Sequence, residues 1–192
     1  MQPQTREDLI QKYVSDMHAV AKHVLEAFER QQQDADVQKF LEASQLINKV
    51  VSTMRSQHNR LDEHSKTVGA EPHTMPKEAI SAALGVAAGL YDKIRSHAVS
   101  KMLRDDYVAL TMCCVSYEML HTTGLAVSDQ TTADLALSHL KDLTPLVMQI
   151  GQAIPAVVTR ELMESGMSSD STVAETAARN NQEAWRVSSK AA

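Results

Sequence analysis

The sequence predicts an all-α protein built as a bundle of long helices, and three observations indicate this class. Apolar residues recur at intervals of seven between Val37 and Val68, a spacing that keeps one helix face buried over several turns. Only 4% of the residues are aromatic and six are Gly, which argues against a β-sandwich or barrel. Hydrophobic residues make up 43% of the 192-residue chain, enough for a sizeable core. We expect a helical bundle over residues 5–165, followed by a linker and tail segment over 166–192.

The first two helices are indicated by their caps and by their apolar stripes. Thr5 can cap the first helix while Asp8 returns the hydrogen bond, and Asp34 or Asp36 can cap the second helix. Because the link between them is short and polar, the two helices should be antiparallel neighbours. The stripe of the first helix is Leu9, Tyr13, Met17, Val20, Val24 and Phe28, and that of the second is Phe40, Ile47, Met54, Leu61 and Val68.

A stretch of small residues follows the second helix. Gly69 suits the left-handed residue after a helix, and Pro76 suits the first turn of a new one. Within residues 77–102, Gly85 and Gly89 lie one turn apart, which removes side-chain bulk from one face. We expect this stretch to pack closely inside the bundle, with a homodimer seam as the alternative.

Two further long helices complete the predicted bundle. Residues 103–123 are apolar on most faces, so we expect a central helix that ends at Gly124. Thr131 with Asp134 can cap the last long helix. The stripe of this last helix is Leu135, Leu140, Leu143, Val147, Ile150, Ile154, Val157 and Leu162.

The end of the chain carries two helix breakers and a tail. Pro145 and Pro155 fall within the last stripe, and each removes a backbone donor at a cost of about 3 kcal/mol, so we expect a kink or a break. Thr172 and Glu175 can cap a short tail helix with Trp185 on its apolar side. We expect this tail to dock either on its own bundle or on a protein partner.

Composition and charge argue against several classes of function. A net charge of −5 does not suggest nucleic-acid binding, which needs a concentrated basic surface. No run approaches the ~20 apolar residues that cross a membrane, and the first residues lack a secretory pattern. The adjacent Cys113 and Cys114 are expected to be reduced, partly buried thiols, which is typical of a cytoplasmic protein.

The weak candidates for a metal site are Glu118 and His121. A spacing of three places both side chains on one helix face, as in the Glu-x-x-His pairs of di-iron bundles. Such a site needs a second pair and further carboxylates, so we favour a solvated or hydrogen-bonded pair and keep an iron or manganese site as the alternative. Among the eight histidines we single out His58, on the inner seam of the second helix. We predict no catalytic residue, no cofactor-binding residue and no resident cofactor.

Three short stretches carry a resemblance to a known family. They are the run Asp16-Met17-His18-Ala19, the helix ending Arg60-Leu61-Asp62 with Val68-Gly69, and the late helix ending Glu161-Leu162. Over roughly residues 6–165 the chain resembles the ferritin-like YciE/YciF stress proteins. The resemblance implies a ferritin-like four-helix bundle with an accessory helix in the crossover, often a dimer. The C-terminal tail helix predicted above would follow this bundle. Many members have a two-metal carboxylate site.

The sequence departs from this family where the metal would be bound. The expected first-helix glutamate falls on Ala21, and the expected second-helix ligands fall on Thr53, Met54 and Gln57. Carboxylates of the third helix are only partly present, as Asp105 and Asp106. We therefore predict a stress-associated structural or interaction protein, homodimeric and without enzymatic activity.

Two alternatives remain open at this stage. The first is a metal-binding oxidase or storage protein that uses Glu118, His121 and carboxylates from other helices. The second is a ligand-binding bundle in which the Pro145 and Pro155 kinks open an apolar pocket.

Overall fold

The protein is described by a computed structural model that covers residues 5–70, 98–167, 170 and 172–188. Within these ranges the chain forms helices and no strands, which confirms the all-α prediction. No helix in this part of the chain is long and apolar enough to cross a membrane. The helices are α1 (Arg6–Gln32), α2 (Ala35–Lys39), α3 (Leu41–Val68), α4 (Val99–Ala126), α5 (Gln130–Glu164) and α6 (Val173–Ser188).

The ends of α1 and α3 follow the sequence closely. The Thr5 hydroxyl accepts a hydrogen bond from the Asp8 amide, and the Asp8 carboxylate accepts one from the Thr5 amide, so the predicted reciprocal cap is confirmed. Asp34 caps the short helix α2, and an extended residue at Phe40 separates α2 from α3. The long helix therefore begins at Leu41 rather than at Val37. Gly69 adopts the left-handed conformation with φ of 68° and ends α3 as predicted.

The boundary between α4 and α5 differs from the prediction. Gly124 lies inside α4, which continues to Ala126. A Cβ at Gly124 would lie 2.8 Å from the Ala133 backbone nitrogen, so this glycine serves the close approach of α5 to α4. Asp129, not Thr131, caps α5 by accepting a hydrogen bond from the Thr132 amide.

The two prolines do not break α5, which is a single helix from Gln130 to Glu164. Pro145 is exposed and Pro155 is buried. Because α5 packs against α3, α4 and α6, its tertiary contacts offset the two missing backbone hydrogen bonds.

The helices α1, α3, α4 and α5 form a four-helix bundle in which neighbours are antiparallel. Both α1 and α5 contact α3 and α4, so α1 lies diagonally opposite α5, and α3 lies diagonally opposite α4. Gln11, near the start of α1, donates a hydrogen bond to the carbonyl of Val68 at the end of α3. Gln31, at the end of α1, donates one to Asp106 near the start of α4. Consequently α3 ends and α4 begins at opposite ends of the bundle.

The core fills the space between these four helices. Burying one large apolar side chain contributes about 1.5–3 kcal/mol, so the core is the main source of stability. On the predicted seam of α3, Val68 is half-buried and the other members are buried. The largest fully buried apolar side chains include Phe28, Ile47, Leu61, Leu103, Leu110, Leu120, Leu143 and Ile150.

Helix α4 is not enclosed on all sides, contrary to the prediction of a central helix. Its core face is buried, but Val108, Val115 and Met119 on the opposite face are each at least half exposed. The tail helix α6 packs against α5. The segment expected to form the accessory crossover helix, with Pro76, Gly85 and Gly89, lies outside the described residues.

Candidate functional site

The candidate site is a layer of buried polar side chains well inside the bundle. It consists of Gln57 of α3, Tyr117 of α4 and His139 of α5, which we call the central polar layer. The Tyr117 and His139 rings meet edge to face with their centroids 5.0 Å apart. Gln57 Nε2 donates a hydrogen bond to the His139 carbonyl oxygen at 3.1 Å. The layer thereby links three helices of the bundle.

Helical periodicity explains why these side chains point inward. His139 follows the buried Ala136 by three residues and precedes the buried Leu143 by four, so it lies on the core stripe of α5. Tyr117 lies between the buried Cys113 and Leu120 in the same way on α4. Each position belongs to a core face although its side chain is polar.

Burial keeps the central polar layer uncharged. It lowers the pKa of His139 to about 3, and the positive charge of Arg60 adds to the effect. Burial also raises the pKa of the Tyr117 hydroxyl well above its usual value. At neutral pH the layer therefore presents a neutral imidazole, a neutral phenol and a carboxamide.

Several polar atoms of the layer have no hydrogen-bond partner among the described residues. They are both ring nitrogens of His139, the Tyr117 hydroxyl and Gln57 Oε1. A buried polar atom that has neither a protein nor a water partner costs about 1–3 kcal/mol. A di-iron site draws carboxylates from all four helices, and the layer contains none.

The positions where the resemblance would put metal ligands carry neutral side chains. Ala21 of α1 and Met54 and Gln57 of α3 are buried, and Thr53 is half-buried. A methyl group and a thioether offer a hard metal ion no oxygen ligand. Gln57 is the single member of this set that carries an oxygen in the core.

The two aspartates of α4 lie elsewhere. Asp106 is fully buried and accepts a hydrogen bond from Gln31 Nε2 at 2.7 Å, and burial raises its pKa to about 8. Asp105 pairs with the neighbouring Arg104. Eleven residues, or about 16 Å of helix, separate Asp106 from Tyr117, so Asp106 cannot join the central polar layer.

A second polar cluster occupies the interface of α1 and α3. The rings of His18 and His58 have centroids 4.7 Å apart, and His18 Nε2 lies 3.5 Å from Asp62 Oδ1. The pKa of His58 is lowered, first by burial and then by the nearby His18. Asp62 accepts a hydrogen bond from Lys66, which lowers the pKa of its carboxyl group. His58 is half-buried at this interface.

A hydrogen-bonded chain joins the end of α3 to the start of α5. Thr132 Oγ1 donates to Asp129 Oδ2 at 2.6 Å and lies 2.8 Å from His64 Nε2. Because the hydroxyl proton is directed to Asp129, His64 Nε2 must carry the proton that it donates to Thr132. This network anchors two helix ends.

The sequence candidates Glu118 and His121 are not joined by further ligands. Glu118 is exposed and lines a shallow surface cleft together with Tyr13 of α1. His121 Nδ1 lies 2.8 Å from the Ala133 carbonyl oxygen. In the described ranges no three His, Cys, Asp or Glu side chains are gathered in a way that could hold a metal ion.

The two cysteines are free, with Cys113 buried and Cys114 half-buried, as expected. Burial raises the pKa of both thiols, which leaves them protonated and unreactive at neutral pH.

Sequence reasoning missed the burial of His139 and Asp106. The signal for His139 was available, because it falls on the stripe between Ala136 and Leu143. Nothing in the local sequence of Asp106 indicated burial, since the adjacent Asp105 and Arg104 are typical of a solvated turn of helix.

No protein-family model, no curated protein and no solved structure matches the chain.

Proposed function

We propose that this protein is a ferritin-like bundle without a working di-iron site, which acts as a non-catalytic structural or interaction protein and forms a homodimer. The observation that carries the proposal is the neutral interior: Ala21, Met54 and Gln57 stand at the expected ligand positions, and His139 and Tyr117 are uncharged. The stress association is implied by the resemblance to the YciE/YciF proteins.

The connectivity of the bundle supports the ferritin-like assignment. Ferritin-like folds have one long crossover between two pairs of helices. Here α3 ends and α4 begins at opposite ends of the bundle and on diagonal corners, with 28 residue steps between Ala70 and Ala98. An up-down-up-down bundle with short links would instead make α3 and α4 neighbours.

The absence of charge at the expected ligand positions of α1 and α3 supports a non-catalytic role. Carboxylates that bind two metal ions bring their own negative charge, which the ions neutralise. The buried carboxyl group of Asp106 has a pKa raised to about 8 and is held by Gln31, so it remains protonated at neutral pH. A protonated carboxyl group is a poor ligand for a hard metal ion.

The outer face of α4 supports the homodimer. A seam of residues spaced alternately four and three apart runs along this face, which is the repeat that pairs helices in coiled coils. Glu118 is the one charged residue on the exposed faces between 108 and 126. Because the pattern is self-complementary, two copies could pair about a two-fold axis. The members of the seam are Val108, Met112, Val115, Met119, Thr122 and Ala126.

Elemental analysis tests the non-catalytic assignment. Protein from cells supplemented with iron and manganese is analysed for metal per chain, together with Glu118→Ala and the exposed control Glu63→Ala. We expect all three proteins to contain much less than one metal ion per chain. A stoichiometric metal ion in the wild type contradicts the proposal, and its loss in Glu118→Ala alone would assign it to the alternative site.

A further inference from the structure

A cleft lies between the tail helix α6 and the bundle. Tyr107 of α4 and the α5 residues Met148, Gly151 and Gln152 form one wall. The other wall is one face of α6, whose residues are spaced three and four apart: Ala178, Asn181, Gln182 and Trp185. The volume of the cleft is about 580 Å³, within the range of about 300–1,000 Å³ that small-molecule sites occupy.

The shape of the cleft depends on Gly151. A Cβ at this position would lie 3.2 Å from Tyr107 Cε2, so the absent side chain lets the Tyr107 ring lie close against α5. The α5 residues of the cleft lie between Pro145 and Pro155, in the stretch where two backbone donors are missing.

The lining is uncharged and exposes large apolar side chains. None of the eight lining residues is Asp, Glu, Lys, Arg or His, although 22% of the whole chain is charged. Trp185 is 68% exposed and Met148 is 52% exposed, so both could bury apolar surface against a ligand. The carboxamides of Gln152, Asn181 and Gln182 supply hydrogen-bond donors and acceptors without charge.

We propose that this cleft binds an uncharged small molecule that contains an aromatic ring. The ring packs against Trp185, Tyr107 and Met148, and the carboxamides orient a polar group of the ligand. A charged ligand is disfavoured, because no side chain of the cleft would pair with its charge. This binding activity is additional to the proposed structural role and does not depend on the homodimer.

The single tryptophan of the chain makes the proposal directly testable. N-phenylnaphthylamine, an uncharged fluorescent aromatic amine, is titrated into the full-length protein, and the emission of Trp185 and of the probe is recorded. We expect saturable binding of one probe per chain and loss of Trp185 emission through energy transfer. Binding that does not saturate, or that leaves Trp185 emission unchanged, overturns the proposal.

Two variants locate the binding. Gly151→Leu fills the cleft and should weaken binding by on the order of tenfold. Met148→Ala removes one apolar side chain from the cleft and should weaken binding by about threefold. Thermal unfolding followed by circular dichroism establishes that each variant is folded, and Met148→Ala alone carries the test if Gly151→Leu is not.

Met163→Ala is the matched control, because Met163 is on the same helix with 56% exposure and does not line the cleft. Its affinity should equal that of the wild type, and an equal loss in both methionine variants overturns the proposal. If Trp185 emission shifts to the blue on raising the protein concentration without probe, a second copy of the chain covers the cleft, which also overturns it.

Discussion

His139 and Asp106 both lie in the interior, and burial moves the pKa of each toward the uncharged form. The two shifts have opposite consequences for stability. His139 has a folded pKa of about 3 against a usual 6.5, so the unfolded chain binds the extra proton between these values and stability is lost as the pH falls. Asp106 has a folded pKa of about 8 against a usual 3.8, so the folded chain keeps the proton and stability is lost as the pH rises through that window.

The first prediction concerns Asp106→Asn, which keeps the shape and the Gln31 hydrogen bond but cannot ionise. Between the usual pKa of 3.8 and about 8, the wild type loses roughly 1 kcal/mol of stability per pH unit through this group. The variant should therefore become progressively more stable than the wild type from about pH 5 to about pH 8. Denaturant unfolding at several pH values measures the difference. Asp105→Asn, next to it but paired with Arg104, is the control.

A stability difference between Asp106→Asn and the wild type that stays constant across this pH range would contradict the raised pKa of Asp106.

The complementary variant is His139→Leu, which removes the opposite pH dependence. The His139→Leu variant should be more stable than the wild type at about pH 5, because His139 binds a proton in the unfolded wild type and stays unprotonated in the folded one. The gain should shrink above about pH 6.5, the usual pKa of the imidazole.

At the scale of helices, the close approach of α5 explains the glycine inside α4. Gly124 was expected to stop the helix, but the backbone of Ala133 packs where its side chain would be. Glycine is a poor helix residue by about 1 kcal/mol relative to alanine, and here the close contact with α5 offsets this cost.

The second prediction is therefore that Gly124→Ala destabilises the protein by about 1–3 kcal/mol despite the better helix propensity, because the new Cβ would lie 2.8 Å from the Ala133 nitrogen. Gly151→Ala is the matched control. Its nearest neighbour is the Tyr107 ring at 3.2 Å, a side chain that can move. The control should be neutral or stabilising by up to about 1 kcal/mol. Equal effects in thermal unfolding would show that packing does not distinguish the two glycines.

A feature of a helix could be predicted from the sequence when adjacent residues determine it, and could not when another helix determines it. The Thr5 cap and the Gly69 terminus depend on a few adjacent residues, and both were correct. The burial of His139 and the close contact at Gly124 depend on which helix lies opposite, which no single stripe specifies. The apolar outer face of α4 misled the prediction in the same way, because an apolar residue indicates burial only if a partner helix is present.

At the scale of the whole molecule, the outer seam of α4 decides the third prediction. Val115→Lys places a charge in the middle of the seam and should convert the proposed homodimer to monomers in sedimentation velocity. Leu125→Lys is the matched control, because Leu125 is on the same helix and lies outside the seam. Its side chain is 51% exposed, against 50% for Val115. A wild type that remains monomeric, or a Val115→Lys dimer, would rule out pairing through this face.

The proposed function depends on the neutral interior of the bundle. The helices and their buried faces followed from their stripes, whereas the chemistry of the middle depended on side chains from three helices meeting at Gln57, Tyr117 and His139. A single sequence specifies the first through its periodicity. It specifies the second only once the relative heights of the helices are known.

Anomalous diffraction at the iron and manganese edges, from crystals grown with both metals, tests this claim most directly. We predict no anomalous peak in the space bounded by Gln57, Tyr117 and His139, because no buried carboxylate is available there to hold a hard metal ion. A peak within about 2.2 Å of His139 or Gln57 side-chain atoms would contradict the account. It would mean that the bundle retains a metal centre with an unexpected set of ligands.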